Sequence, residues 1–327
     1  MVLFFAFAQT WTMVAGGDIM LNGVAPSTKT FADFKSFVSL ADFATANLEI
    51  PLTASRTPTK RKTPAELKAR SQFILKADPR HASSIANAGF DVVGLGNNHA
   101  MDYGYAAMAS MRATLSKLGV GTCGAGANYD EAASPATYIV KKSKSIAVLS
   151  FLAFKTPGGL WKCTPAGAKT PGVATVPPGK VASLVRSAKK SAGFVLVWLH
   201  WGLERKTVPE AFQVKLGRSF IDAGADCVLG AHPHVLQGAE VYNGKPVFYS
   251  LGNLVSPLPS TTGLFRLNFN GNQFVSAEMA PASITGGAVR SVRSTRSYVN
   301  RFNSLSQAIG KLHKNKKSLP LLVTPAN

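Results

Sequence analysis

Hydrophobic residues in this chain come in short runs, separated by stretches where they recur every three or four positions. Apolar runs at Trp11–Gly17, Phe43–Glu49, Phe90–Gly96, Ser145–Phe154, Phe194–Leu199 and Pro246–Leu251 predict strands. Phe194-Val195-Leu196-Val197-Trp198-Leu199 is apolar on both faces, as in a strand covered from both sides. Helical spacing predicts helices over 31–40, 79–88, 105–118, 181–192 and 210–223. Gly89, Gly119 and Gly224 close three of them. Met108, Met111, Leu115 and Leu118 share one helical face, which makes both methionines core residues. Ala136–Val140 pairs with Ser145–Phe154 across a basic turn, and two further strands are expected near 263–269 and 273–280. Strands alternating with helices predict an α/β fold.

The strands also carry polar groups at their carboxyl ends. Asp18 follows Gly16-Gly17, Glu49 precedes Pro51, Asn98 sits in Asn97-Asn98-His99, His200 precedes Trp201-Gly202, and the strand near Cys227–Leu229 runs into His232-Pro233-His234. In sheets with helical crossovers, ligands gather at the carboxyl ends of strands. Pro233 restricts its own φ and biases His232 towards extended backbone. In an extended chain both imidazoles would point the same way. Of the six histidines, four (His99, His200, His232 and His234) fall in these segments. A carboxylate can bridge two cations, an Asn oxygen can serve one, and neutral imidazoles can complete both. Two divalent ions roughly 3.5–4 Å apart stabilise both oxygens of a phosphoryl transfer. The same residues leave two alternatives open: a single structural or transported metal, and ordinary buried histidines.

Composition narrows the partners. Hydrophobic residues make up 46% and charged residues 16%, which predicts a packed core. Lys plus Arg number 36 against 16 Asp plus Glu, a formal charge of +20. That excess implies an anionic partner: a phosphorylated or polyacidic substrate, a wall polymer, membrane headgroups or nucleic acid. Nucleic acid is disfavoured, because the basic residues are not interleaved with stacking aromatics in any recognisable module. The three cysteines form no CxxC pair, which excludes a Cys-rich zinc module and leaves a Cys123–Cys163 disulfide open. No stretch is long enough to be a transmembrane helix. Gly119–Gly124 matches GxGxxG but follows a helix, so a dinucleotide site is rejected.

Four segments lie outside the core pattern. Residues 1–9 carry Ala6-Phe7-Ala8 before Gln9 and read either as a signal-peptide remnant, from which export to the cell envelope is expected, or as the first strand of a cytoplasmic protein. Residues 55–72 carry Arg56, Lys60, Arg61, Lys62, Lys68 and Arg70 and read as a solvated insertion, with an anion-binding patch as the alternative. Residues 155–180 read as a long surface loop, a candidate lid. The segment 286–327 lacks acidic residues and reads as a basic tail, either an anchor to an anionic cell surface or a frayed end.

Taken together, the motifs resemble a known family. Gly17-Asp18-Ile19-Met20, Asn47-Leu48-Glu49 with Pro51, Asn97-Asn98-His99 with Asp102 and Gly104, His200-Trp201-Gly202 with Glu204, Gly224-Ala225-Asp226, Ala231-His232-Pro233-His234 with Gln237, and Tyr249-Ser250-Leu251-Gly252-Asn253 are similar to the CapA family. That family belongs to bacterial poly-gamma-glutamate capsule biosynthesis and is a branch of the calcineurin-like metallophosphoesterases. The likeness runs from about residue 11 to 256, with the domain set at 10–285.

The resemblance implies a four-layer α/β/β/α sandwich with two central mixed sheets, and two divalent ions (Mn, Fe or Zn). Asp18, Glu49 and His234 would hold one ion, with Glu49 bridging; Asn98, His200 and His232 would complete the second. His99, oriented by Asp102, would protonate the leaving group or bind a substrate oxygen. Glu204 and Asn253 would line the substrate pocket. The wider superfamily opens with Asp-x-His, whereas Met20 stands here where the imidazole is expected, and Glu49 replaces its bridging Asp. The implied function is hydrolysis of a phosphoester or anionic envelope polymer. The alternative is a non-catalytic component that binds or guides polyglutamate.

Overall fold

The computed structural model describes residues 10–141, 143–154, 162–177 and 179–326. In chain order its elements are β1 (Thr10–Ile19), α1 (Lys35–Ser39), β2 (Phe43–Leu48), α2 (Pro64–Lys68), α3 (His81–Ala88), β3 (Val92–Gly94), α4 (Gly104–Lys117), β4 (Gly121–Cys123), β5 (Ala125–Gly126), α5 (Tyr129–Ala133), β6 (Ala136–Val140), β7 (Lys144–Ala153) and β8 (Gly172–Val173). They continue with α6 (Val181–Ser191), β9 (Phe194–Trp201), α7 (Ala211–Asp222), β10 (Cys227–Ala231), β11 (Ala239–Tyr242), β12 (Lys245–Phe248), β13 (Asn253–Val255), β14 (Ser260–Asn270), β15 (Gln273–Thr285), β16 (Ala288–Ser291), α8 (Thr295–Leu312), β17 (Ser318–Pro320) and β18 (Thr324–Pro325).

Two mixed sheets form the centre. The first runs β16-β15-β14-β1-β2-β3-β4, with β13 beside β1 and β18 beside β15; the second runs β17-β11-β12-β10-β9-β7-β6. Strands β1 to β4 are parallel to one another, as are β7, β9, β10 and β12, while hairpin strands flank both sets antiparallel. Phe194 to Trp201 is buried at every position, as its unbroken apolar run requires.

Three apolar clusters define the layers. Trp11, Met13 and Phe43 of the first sheet pack on Phe194, Leu196 and Trp198 of the second. Ile85, Met108, Met111 and Leu115 cover the outer face of the first sheet, and Val185, Val214 and Phe220 that of the second. The order is therefore helix, sheet, sheet, helix, as expected. Trp198 Nε1 donates to Thr45 Oγ1 at 2.9 Å and ties the two sheets beneath the site.

Several expectations need correction. The basic C-terminal segment is built into the fold rather than frayed. Helix α8 buries Val299, Phe302 and Ile309, β17 pairs with β11, and β18 pairs with β15. Its apolar positions recur at helical spacing, a pattern masked by the surrounding basic residues. Cys123, Cys163 and Cys227 are all free thiols, so the Cys123–Cys163 bridge is absent. The signal remnant at 1–9 and the part of the candidate lid at 155–161 lie outside the described residues. No helix among the described residues is long and apolar enough to cross a membrane.

Candidate metal centre

The carboxyl ends of β1, β2, β3, β9 and β10 meet where the two sheets face each other. Asp18 is the penultimate residue of β1 and is fully buried. A Cβ on the preceding Gly17 would lie 1.9 Å from Gly252 O, so only glycine lets the 250–253 turn close over the strand end. Asn47 Nδ2 donates to Asp18 Oδ1 at 2.7 Å, and the His232 backbone N–H donates to Oδ2 at 3.0 Å. Gly230 fulfils the same requirement under the histidine pair: a Cβ there would lie 2.0 Å from Tyr249 O.

The His-Pro-His segment reaches its geometry by a different route from the one expected. His232 has φ +96° and His234 φ +57°, so neither is extended. Left-handed backbone at a non-glycine residue is costly and is held only by its surroundings. Here the His232 N–H is fixed by Asp18, and Pro233 O accepts from Arg205 N at 2.8 Å. The bend still brings the two rings together, with centroids 5.7 Å apart. The preference imposed by Pro233 is overridden by these tertiary contacts.

All six expected ligands converge. His200 Nε2 lies 2.8 Å from Asn98 Oδ1, 3.1 Å from His232 Nδ1 and 3.5 Å from Glu49 Oε1. His234 Nδ1 lies 3.3 Å from Asp18 Oδ2, and its Nε2 lies 3.7 Å from Glu49 Oε1. Two groups hold all their ligand atoms within 4.8 Å of one another: Glu49, His232 and His234, and Asp18, Glu49 and His200. Glu49 is common to both. The expected pairings are close as well, His234 to Asp18 at 3.3 Å and His200 to His232 at 3.1 Å.

Glu49 supplies the test of fit. It is fully buried, and among the described residues neither carboxylate oxygen accepts a well-formed hydrogen bond, His200 Nε2 standing 3.5 Å from Oε1. A buried carboxylate left this way is costly unless a cation completes it. Burial raises its pKa, but His234 and His200 outweigh that and hold it below the usual carboxylate range. Burial, reinforced by His200 and His234, keeps His232 well below the ordinary imidazole value, the neutral form a metal ligand needs. At His234 burial acts downward, but Glu49, Asp18 and Glu204 push it up to about 10. In the absence of a cation the carboxylates therefore draw a proton onto His234. The donor set, carboxylate, amide oxygen and imidazole, suits first-row divalent ions.

The remaining expected residues take distinct places. Asn253 pairs with Asp18 across β13 and β1, and its Oδ1 accepts from His234 Nδ1 at 2.9 Å, leaving His234 Nε2 for the cluster. It thereby orients the His234 ring. Glu204 stands at the rim, Oε1 3.9 Å from His234 Nε2, and burial raises its pKa. His99 Nδ1 lies 2.7 Å from Asp102 Oδ2.

Three contributors went unassigned in the sequence. Asn47 Nδ2 reaches His200 Nδ1 at 3.3 Å as well as Asp18. Asn97 Oδ1 accepts from the His99 and Ala100 backbone N–H groups, which shapes the turn displaying Asn98 and His99. Both stand inside quoted motifs, so their proximity to the ligands was the available signal. Lys62 is the third, and it is the exception to the reading of 55–72 as solvated. Its Nζ donates to Asp102 Oδ1 at 2.5 Å and to Phe73 O at 2.6 Å, inside the protein. Burial pulls its pKa down, opposed by Asp102.

The chain matches the family model described as "Bacterial capsule synthesis protein PGA_cap" over residues 12–258. It belongs to that family. Among curated relatives, it is 34% identical over 215 residues to the PGA biosynthesis protein CapA of Bacillus subtilis, covering 66% of this chain and 53% of that protein. It is 27% identical over 298 residues to the capsule biosynthesis protein CapA of Bacillus anthracis, covering 86% and 70%. The match thus spans about half the length of the first relative. The fold is similar to a crystal structure described as a novel phosphatase from Mycoplasma pneumoniae, with TM-score 0.54, 11% identity, and coverage of 84% of this chain and 94% of that one. This PGA_cap chain therefore shares the fold of that solved structure and gathers candidate metal-binding groups at its strand ends.

Proposed function

We propose that this PGA_cap protein is a metal-dependent hydrolase of a phosphoester or an anionic polymer, acting at the cell envelope. The observation that carries this reading is Glu49, buried, without a well-formed hydrogen bond among the described residues, and shared by two groups of candidate ligand atoms. Asp18, Glu49, Asn98, His200, His232 and His234 would hold two divalent ions. Bound there, the ions would provide a nucleophile at neutral pH and neutralise charge on the reacting group. Asn47 and Asn253 hold His200 and His234 in orientation. Asp102 holds His99 by Nδ1, so that Nε2 delivers a proton to the leaving oxygen as its bond breaks. The formal charge of +20 favours anionic substrates such as polyglutamate or phosphoesters.

The test is elemental analysis of purified protein together with hydrolysis of 4-nitrophenyl phosphate and bis(4-nitrophenyl) phosphate in Mn²⁺. About two ions per chain and metal-dependent turnover are expected, both lost in His200→Ala. Inactivity with every divalent ion, with metal content unchanged in His200→Ala, would refute it. Met20 favours a second reading, a polyglutamate-binding component with a weakened metal site. That reading expects polymer binding that survives chelation and His99→Ala.

A further inference from the structure

Among the six basic residues of the 55–72 segment, one turns inward. Lys62 is 6% exposed, whereas Arg56, Lys60, Arg61, Lys68 and Arg70 are exposed. The segment is an excursion closed at its base, where Thr53 N donates to Ala77 O and Ala77 N to Pro51 O. It crosses the 99–102 turn and is fastened there repeatedly. Thr59 N donates to Asp102 O at 2.9 Å, Leu75 N to Asp102 Oδ2 at 2.8 Å, and Lys62 Nζ to Asp102 Oδ1 at 2.5 Å. Lys62 Nζ also stands 3.2 Å from His99 Nδ1. From outside, Lys162 binds Glu66 of α2, and its N–H donates to Gln72 Oε1.

We propose that Lys62 is a positioning residue for His99, acting through Asp102. The Lys62 ammonium is committed to Phe73 O and to one oxygen of the Asp102 carboxylate. Lys62 on Oδ1 and the Leu75 N–H on Oδ2 together hold the carboxylate against rotation, with Oδ2 facing the His99 Nδ1–H. This fixes the imidazole plane and the direction of Nε2, where the proton passes to the leaving oxygen while the electron pair of the broken bond stays on that oxygen. Lys62 does not bind substrate, because it is enclosed beneath the strap. The inference rests on the proposed hydrolase reading for its kinetic consequence, but not for its structural one.

The experiment uses Lys62→Met and Lys62→Gln in the full chain, with wild type, His99→Ala and the Lys62→Met/His99→Ala double variant. With Mn²⁺, Lys62→Met should lower kcat about thirtyfold on an alkyl phosphodiester, with KM and metal content unchanged. The loss should shrink to a fewfold on a 4-nitrophenyl ester, whose leaving group needs no proton. In the His99→Ala background the same substitution should cost less than twofold. An equal loss on both esters, or an additive loss in the double variant, would show a merely structural residue and overturn the proposal.

A second readout does not depend on turnover. In ¹⁵N-labelled protein, the His99 Nδ1–H resonance, assigned by its absence in His99→Ala, should be sharp in wild type, broadened in Lys62→Met and partly retained in Lys62→Gln. An unchanged resonance in folded Lys62→Met would refute the inference. If wild type hydrolyses no ester with any ion, the hydrolase reading fails, while this spectrum still decides the role of Lys62.

Discussion

The backbone N–H of His232 donates to Oδ2 of Asp18 at 3.0 Å, across 214 positions of sequence. One bond thus joins the end of β10 in the second sheet to the end of β1 in the first. It holds the left-handed backbone of His232 and sets the carboxylate among the histidines. Asp18→Ala should release both. We expect a loss of about 1–3 kcal/mol in stability from the buried N–H left without its acceptor. Metal uptake should fall in parallel. Denaturant titration and elemental analysis check the two effects separately.

Glu49 belongs to both ligand groups, so its removal should uncouple metal from stability. Chelating the metal-loaded wild type should lower its melting temperature, since a ligand at about 100 times its Kd contributes about 2.7 kcal/mol. In Glu49→Gln the melting temperature should not respond to EDTA. A full EDTA response in that variant would show that the ions sit elsewhere.

His234 predicts the pH dependence of the metal-free protein. Its folded pKa is pushed up to about 10, above the ordinary 6.5. A raised value means that the stabilisation is complete below about 6.5 and disappears as pH climbs towards 10. Metal-free wild type should therefore lose stability across that window, and His234→Gln should lose less. A bound cation must displace the same proton, so apparent metal affinity should rise about tenfold per pH unit between 7 and 9. Calorimetric titration in buffers of different ionisation heat would count the released proton.

The C-terminal segment should depend on a buried clasp. Arg218 Nε and Nη2 donate to the two Glu240 oxygens at 2.8 and 2.7 Å, and Nη2 also donates to His313 O at 2.9 Å. Glu240 is fully buried and accepts further bonds from Tyr249 and Ser318. Arg218→Ala leaves that carboxylate without its cation, at a cost of about 3–5 kcal/mol. Limited proteolysis should then cut near 313–318 well before the core. Unchanged cleavage would mean that α8 holds the segment by its apolar face alone.

Much of this was legible in one dimension. The buried run of β9, the helices closed by Gly89, Gly119 and Gly224, and the polar residue after each central strand follow from local periodicity and turn chemistry, which act over a few residues. These features identified Asp18, Glu49, Asn98, His200, His232 and His234 as neighbours-to-be before any distance was known. Helix α8 was hidden because its basic surface resembles the composition of an unfolded end.

What the chain alone could not disclose depends on contacts between distant segments. The bend at His232 and His234 arises because Asp18, from the other sheet, captures a backbone N–H that local preference would have directed elsewhere. Lys62 looks like its five basic neighbours in sequence; it differs because the strap closes at Thr53 and Ala77 and places its side chain over Asp102. Residue type is written locally, so the choice of candidate ligands could be made from the sequence. Which ligand meets which, and which lysine turns inward, is settled by packing two sheets and a loop against one another, and only the tertiary structure carries that information.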